Sequence, residues 1–250
     1  MKALITGASS GIGKNMAYVL ANKGIDLILV ARNKDELLKI KANVKVNVLV
    51  IELDLLKEKN VFKLYEMCKD RNIDILINNA GFGLFGLFTE TDLARELEMI
   101  DLNIKAYHIL TKLFLKDFVE KDNGYILNVA SSAGLFPAGP FMATYYATKA
   151  YMVSLTRAVA AEQRSKRSSI YVGALCPGPV DTEFNDVAKV KFALPGISPQ
   201  YCASYALEQM RKRKIVIVPK FTIRAATTMA RFVPQKMLIP VIGQLQKKKF

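Results

Sequence analysis

Seven short apolar runs punctuate the chain: KALIT, DLILVA, VNVLVIEL, IDILIN, GYILNVA, SIYVGALC and KIVIVP. Each is nearly continuous rather than alternating, which is the pattern of a strand covered on both faces. Between them, apolar residues recur at three-to-four spacing, as from Asp92 to Phe118 and from Tyr145 to Arg164, the period of helices that bury one stripe. Strands alternating with helices predict a single α/β domain around a parallel sheet of about seven strands, with helices on both faces. Right-handed crossovers make such a sheet doubly wound and leave ligands at the carboxyl ends of its strands. This domain is expected to span residues 1–220. The stretch VAKVKFALPGISP, Val187 to Pro199, interrupts the pattern and reads as a loop or short helical lid over the substrate, near residues 183–200. Residues 221–250 form a basic amphipathic C-terminal extension.

Charge sharpens that division. The net charge is +14, yet the forty residues from Arg211 to Phe250 hold eleven Lys or Arg and no Asp or Glu, leaving +3 (14 − 11) for the rest. A near-neutral body with a basic end is a poor nucleic-acid binder and points to a local electrostatic feature. Half of the residues are apolar and none of the chain is low in complexity, so disorder is not expected. Cys68, Cys176 and Cys202 are too few and too far apart for a disulfide framework or thiolate metal site and suit buried apolar positions. MKALITG reads as a strand from the first residues rather than a leader, which predicts a cytoplasmic chain.

The first strand runs into TGASSGIGKNMAYVLANKG, with Gly7, Gly11 and Gly13 where strand turns to helix. Glycines there permit a tight turn and close backbone approach to a phosphate, which the helix N-terminus attracts. A nucleoside-triphosphate loop does not fit, because its earlier glycine would fall on Ala8 and Asn15 stands where Ser or Thr is required. After the second strand come Ala31 and Arg32, and the first acids, Asp35 and Glu36, lie in the next helix. An acid at this place suits a bare ribose, whereas arginine suits a 2′-phosphate, so NADP(H) is preferred over NAD(H).

The motifs TGASSGIG (Thr6–Gly13), Asp54, NNAG (Asn78–Gly81), Asn103, NVASSAG (Asn128–Gly134), YYATK (Tyr145–Lys149) and PGPVDT (Pro177–Thr182) occur in order at strand ends. Over roughly residues 1–220 the chain resembles the short-chain dehydrogenase/reductase family of the Tyr-x-x-x-Lys type. The resemblance implies a Rossmann-type sheet and hydride transfer between NAD(P)H and a ketone or aldehyde, or a secondary alcohol. It implies a phosphate loop of Gly7, Ser9, Ser10, Gly11, Ile12 and Gly13, and Asp54 at the adenine with Leu55 beside it. Asn79, Ala80 and Gly81 would line the cofactor cleft. Pro177 and Gly178 would complete it, with Thr182 on the nicotinamide amide. Dimers and tetramers are common in the family, so a homo-oligomer is expected.

Helical spacing alone lets either Tyr145 or Tyr146 face Lys149; the family pattern selects Tyr145, with Tyr146 turned towards packing. A free tyrosine has a pKa of about 10, and working near neutrality means lowering it by about three units, or ~4 kcal/mol. A cation at ~4 Å supplies that only at an intermediate dielectric, as in a cleft roofed by cofactor. Tyr145 would then exchange the proton with the substrate oxygen and a serine would hydrogen-bond it. Lys149 would hold the nicotinamide ribose, and Asn103 would anchor a water in the proton relay. The serine is Ser131 counted from Asn128 and Ser132 counted back from Tyr145; Ser131 is preferred, because the strand end is the more rigid ruler.

His108 is the sole histidine, on a helix and without a Gly-x-Ser-x-Gly elbow, so a Ser-His-Asp hydrolase is disfavoured and a packing or surface role preferred. No metal-ligand spacing is evident. A non-catalytic dinucleotide-binding regulatory protein of the same fold is the alternative, and the intact Asn–Ser–Tyr–Lys set speaks against it. Leu84, Phe85, Phe141, Met142 and the segment Phe184–Leu194 are candidate walls for a hydrophobic substrate. The extension places Phe221, Ala225, Met229 and Phe232 at helical spacing, and Pro234, Pro240 and Gly243 break up the residues beyond. Its uncharged run from Met237 to Gln246 is far shorter than the ~20 residues of a spanning helix. Three partners suit it: an anionic membrane surface, an acidic protein such as an acyl carrier protein, or another subunit, and the subunit interface or a plain solvated edge is preferred.

Overall fold

The computed structural model describes residues 1–184 and 196–247. Seven parallel strands, β1 (Lys2–Thr6), β2 (Asp26–Ala31), β3 (Val48–Glu52), β4 (Ile75–Asn78), β5 (Tyr125–Val129), β6 (Tyr171–Leu175) and β7 (Val216–Ile217), form one sheet in the order β3-β2-β1-β4-β5-β6-β7. All seven apolar runs of the sequence become strands. The last is the shortest, ending just before Pro219, which has no amide hydrogen to continue the ladder.

The continuity of the runs has a direct cause. Ala3, Ile5, Leu27 and Leu29 point into one apolar layer, while Leu4, Ile28 and Val30 point into the other. Helices α1 (Gly11–Ala21) and α2 (Lys34–Ala42) cover the first face together with α7 (Pro199–Arg211). The second is covered by α3 (Glu58–Cys68), α5 (Tyr107–Lys121) and α6 (Ala143–Ser165). Each fully buried Leu or Ile contributes about 1.5–3 kcal/mol relative to exposure. Phe114 and Phe118 of α5 are fully buried, and Tyr65 of α3 meets Phe114 edge-on at 5.3 Å. The three cysteines are buried and unpaired.

Helix stops obey local chemistry. After α5, Asp122 takes a left-handed conformation, and Gly124 lies so close to the Phe118 ring that no side chain fits there. At its start, α7 has Ser198 as cap, accepting from the Tyr201 amide, and Pro199 at its first turn.

Two elements differ from the sequence pattern. The long helical stretch after β4 is α4 (Leu93–Ile100) joined to α5 through a π-helical turn, Asp101–Ala106. The C-terminal extension forms α8 (Phe221–Met229) and α9 (Gln235–Lys247), and α9 continues through Pro240 and Gly243 rather than breaking. Pro240 removes one amide from the first turns of α9. Lys236, whose carbonyl loses that donor, is exposed to water, so the break costs less than in a buried helix. No described helix is long and apolar enough to cross a membrane.

Candidate active site

Strand order reverses between β1, whose neighbours are β2 and β4, and the strands beyond, so the crevice opens where β1 and β4 end. Gly7 comes directly after β1 with φ +62°, and a side chain there would lie 2.8 Å from the Ala80 Cα. At Gly13 a Cβ would run into the Asn79 side chain and come within 2.5 Å of the Gly7 carbonyl oxygen. Asn79 itself donates to the carbonyl oxygens of Thr6 and Gly7 at 3.0 and 2.9 Å, while the Thr6 hydroxyl accepts from the amides of Asn79 and Ala80. Thr6 and Asn79 thus fasten the first turn to the end of β4.

Ser10 caps α1 without using its side chain, and the first turn of α1 contains no acid. Its amides and dipole are left to attract an anion, and the glycine cradle that a Cβ would fill fits a pyrophosphate. Ser9, Ser10, Gly11 and Ile12 are half-buried around this turn, and Thr182 packs over Gly11, 3.2 Å from where its Cβ would be. Arg32 is exposed at the end of β2. The nearby Glu36 is engaged by Lys14 at 3.1 Å and Lys39 at 2.6 Å, which hold its carboxyl below the usual range. Asp54 accepts from the Leu56 amide through one oxygen, and Leu55 is buried. Pro177 accepts from the Ser132 amide, and Gly178 lies beneath Ile223 of α8. Gly178 is therefore also a packing position for the C-terminal extension.

Tyr145 and Lys149 stand on α6 and both are buried. Ser131, just beyond β5, faces Tyr145, whose ionised form its side chain favours, and its Oγ accepts from the Ala133 amide at 3.1 Å. Ser132 instead donates its amide to the Pro177 carbonyl. Lys149 Nζ donates to the Val129 carbonyl at 3.1 Å and lies 5.7 Å from the Tyr145 ring centre. Gly81 opens the space beside it: a Cβ there would sit 3.5 Å from Nζ and 2.7 Å from Asn103 Oδ1.

Burial governs both titrations. It pushes Tyr145 up to about 12, against the lowering influence of the Ser131 side chain, and Lys149 down to about 8. In this state the lysine does not acidify the tyrosine. Tyr145 is a neutral hydroxyl at pH 7, the form needed to give a proton to a developing alkoxide.

Asn103 is fully buried in the π turn. Its amide donates to the Phe82 carbonyl at 2.9 Å and to Thr148 Oγ1 at 3.1 Å, and its oxygen accepts from the Phe82 amide at 3.2 Å. The side chain thus ties the loop after β4 to α6, and these bonds engage its polar atoms. Single π turns inside α-helices recur at functional sites, but the underlying sequence shows no change of period.

A deeper polar network escaped the sequence reading. Asn78 donates to Thr111 and to Asn128, each at 3.0 Å; Asn128 donates to Thr156, which shares a hydrogen bond with Tyr107. Its sequence signal is an asparagine within each of two apolar strand runs. In register these two asparagines are direct neighbours.

Leu84, Phe85, Met142, Tyr146 and Phe184 gather around Tyr145 in one apolar cluster, and the Phe184 ring lies 5.7 Å from that of Tyr145. Phe85 stacks on Phe141 at 6.0 Å. Phe141 adopts φ +67°, an uncommon conformation for a bulky residue. The rest of the expected lid, residues 185–195, lies outside the described residues. Tyr146 packs against Gly139 and accepts a hydrogen bond from Gln246 of α9, a contact that no local motif announces. His108 is exposed and pairs with Tyr151 at 2.7 Å. A shallow groove of about 510 Å³, with Lys2, Asp26, Asn47 and Arg71 in its lining, lies at the amino ends of β1–β3, away from all these groups.

Known proteins share the sequence pattern and the fold. A family model described as short chain dehydrogenase matches residues 1–191. An uncharacterised oxidoreductase of Staphylococcus saprophyticus is 31% identical over 228 residues, covering 89% of this chain and 96% of its own. A solved short-chain dehydrogenase from Sphingobium yanoikuyae, in complex with NADPH, superposes with a TM-score of 0.84 at 31% identity, over 95% of this chain and 94% of that one. The bulky-bulky ketone specific alcohol dehydrogenase from Comamonas testosteroni does so with a TM-score of 0.77 at 28% identity, over 94% and 95% of the two chains. With the glycine turn after β1 and the Ser131, Tyr145 and Lys149 side chains brought together at the ends of β5 and α6, the chain belongs to the short-chain dehydrogenase family of oxidoreductases.

Proposed function

We propose that the protein reduces a bulky apolar ketone or aldehyde with NADPH, Tyr145 donating the proton. The observation that carries this reading is the burial of Tyr145 inside an apolar cluster, with the Ser131 side chain and a buried lysine alongside. Bound NADPH would supply the hydride for the new C–H bond. The carbonyl electron pair moves to oxygen, which takes the Tyr145 proton while the Ser131 hydroxyl stabilises the growing charge. The high proton affinity of Tyr145 keeps it protonated and ready. Lys149, anchored on Val129, would hold the ribose and stabilise the tyrosinate left behind. Asn103 and Gly81 keep the cleft floor in position, and the first turn of α1 receives the pyrophosphate.

Arg32 supports the phosphorylated cofactor, since Glu36, one of the first two acids after it, is already occupied by two lysines. The relative solved with NADPH and the one named for bulky ketones support the same choice of cofactor and substrate class.

Thermal unfolding with NADPH and NADH at equal concentrations tests the cofactor. A ligand at about 100 times its dissociation constant adds about 2.7 kcal/mol of stability. NADPH should shift the midpoint far more than NADH, and Arg32→Ala should remove the difference. A ketone series then tests the substrate: kcat/KM should rise with apolar bulk, and Tyr145→Phe should lower kcat by about 10²–10⁴-fold while leaving the NADPH shift in place. No shift with either nucleotide would overturn the proposal.

A further inference from the structure

The geometry points to a second functional surface: α8, its connection to α9, and α9 itself form a docking face for an anionic lipid bilayer. Helix α8 presents Phe221, Ala225 and Met229 at four-residue intervals, all exposed, with Phe221 at 70%. Helix α9 repeats the device with Met237, Val241 and Leu245, opposite the Ile242 and Gln246 face that it buries. The connection, residues 230–234, adds Phe232, exposed to 79%, and Val233. Single exposed apolar side chains are ordinary, but two successive helices, each apolar on its outer face, are not.

The charge around them selects the occupant. Arg224, Arg231, Lys236 and Lys247 accompany these residues, and no acid occurs between Arg211 and Phe250. A second copy docked by this same face would bring like charges together with no carboxylate in the segment to pair them. An acidic protein would need separate pockets spaced for all these projecting side chains. An anionic bilayer accepts the cations at its headgroups and the apolar side chains beneath, whatever their spacing.

The surface adjoins the active site. Gly243 packs towards Pro140, Gln246 donates to the Tyr146 hydroxyl, and Lys247 Nζ lies 5.5 Å from the Phe141 ring centre. Through Phe141 and Phe85 this reaches the apolar cluster around Tyr145. Docking would therefore place the substrate wall beside the lipid from which an apolar ketone partitions. That last link rests on the proposed reaction; the docking itself does not.

Co-sedimentation of the full chain with vesicles of phosphatidylcholine alone, or mixed with phosphatidylglycerol, tests the proposal without any enzyme assay. The chain should pellet with the anionic vesicles and not with the neutral ones, and added salt should weaken binding. Phe221→Ser with Phe232→Ser should lose about tenfold in affinity per phenylalanine, with an unchanged midpoint of unfolding and NADPH response. Arg224→Gln, Arg231→Gln and Lys236→Gln together should abolish the preference for phosphatidylglycerol. The proposal is overturned if neither vesicle binds, or if the phenylalanine variant binds as tightly as the parent. Equal binding to soluble polyglutamate would assign the face to an acidic protein. A concentration-dependent dimer lost in the phenylalanine variant would assign it to a second copy. Either result also overturns the proposal.

Discussion

At Lys149 the role proposed in catalysis opposes stability within one side chain. Its pKa, ordinarily 10.5, falls to about 8 because burial disfavours the cation. Below pH 8 both folded and unfolded chains bind this proton, and the folded state bears the full cost. Between about pH 8 and 10.5 the unfolded chain binds more protons, so this group makes stability rise with pH. The shift corresponds to roughly 3 kcal/mol at pH 7, of which about 1 kcal/mol is offset by the bond to the Val129 carbonyl. Lys149→Met should therefore raise stability at pH 7 by about 2 kcal/mol, and the gain should vanish by pH 10.5, while hydride transfer is lost. Chemical denaturation at pH 7 and pH 10 checks this. A variant less stable than the parent at pH 7 would mean that the Val129 bond outweighs desolvation. Tyr145 has the opposite sign, because its raised pKa lowers stability as pH climbs from 10 towards 12. That window begins near the upper end of the one that belongs to Lys149, so the two separate best at pH 7.

Elements differ in how openly the sequence states them. All seven strands were legible because a strand buried on both faces must be apolar at every position, and few other structures share that run. The glycine turn was legible for a steric reason, with Gly7 and Gly13 facing Asn79 and Ala80 closely. The π turn at Asp101–Ala106 was hidden, because one wider turn leaves the helical spacing on either side intact. Helix α9 was misread from Pro240, whose cost depends on exposure, which composition does not record. The polar bridge between Asn78 and Asn128 depends on strand order, a long-range property. The steric account of the turn makes a prediction. Gly13→Ala forces a methyl against Asn79 and the Gly7 carbonyl, so stability should fall by about 1–3 kcal/mol. The first turn of α1 should also lose its hold on the pyrophosphate, abolishing the NADPH-induced shift. An unaltered NADPH response, measured by calorimetric titration, would mean that the cradle is looser than its geometry.

At the scale of the whole molecule, the sheet and its two large apolar layers are complete before the C-terminal helices begin, since neither layer takes a residue beyond Ile217. Beyond the expected boundary near residue 220, Ile223 packs on a third, smaller apolar cluster that includes Tyr107, Met152 and Val218. The extension touches mainly the candidate substrate wall, where Gly243 approaches Pro140 and Gln246 reaches Tyr146, and it meets the expected cofactor cleft at Gly178, which Ile223 covers. The phosphate turn, by contrast, is braced by Thr6, Asn79, Ala80 and Thr182 alone among these groups. A chain ending at Lys220 should therefore fold with a loss of about 1–3 kcal/mol from the uncovered apolar surface, and still respond to NADPH in thermal unfolding. Its kcat/KM for a bulky ketone should fall by about tenfold or more, because the loop holding Phe141 and Met142 loses the helix that positions it. Binding and turnover would then separate along the boundary between sheet and extension. Losing the NADPH response together with turnover would mean instead that the extension supports the entire crevice through Gly178, and that the two parts form one cooperative unit.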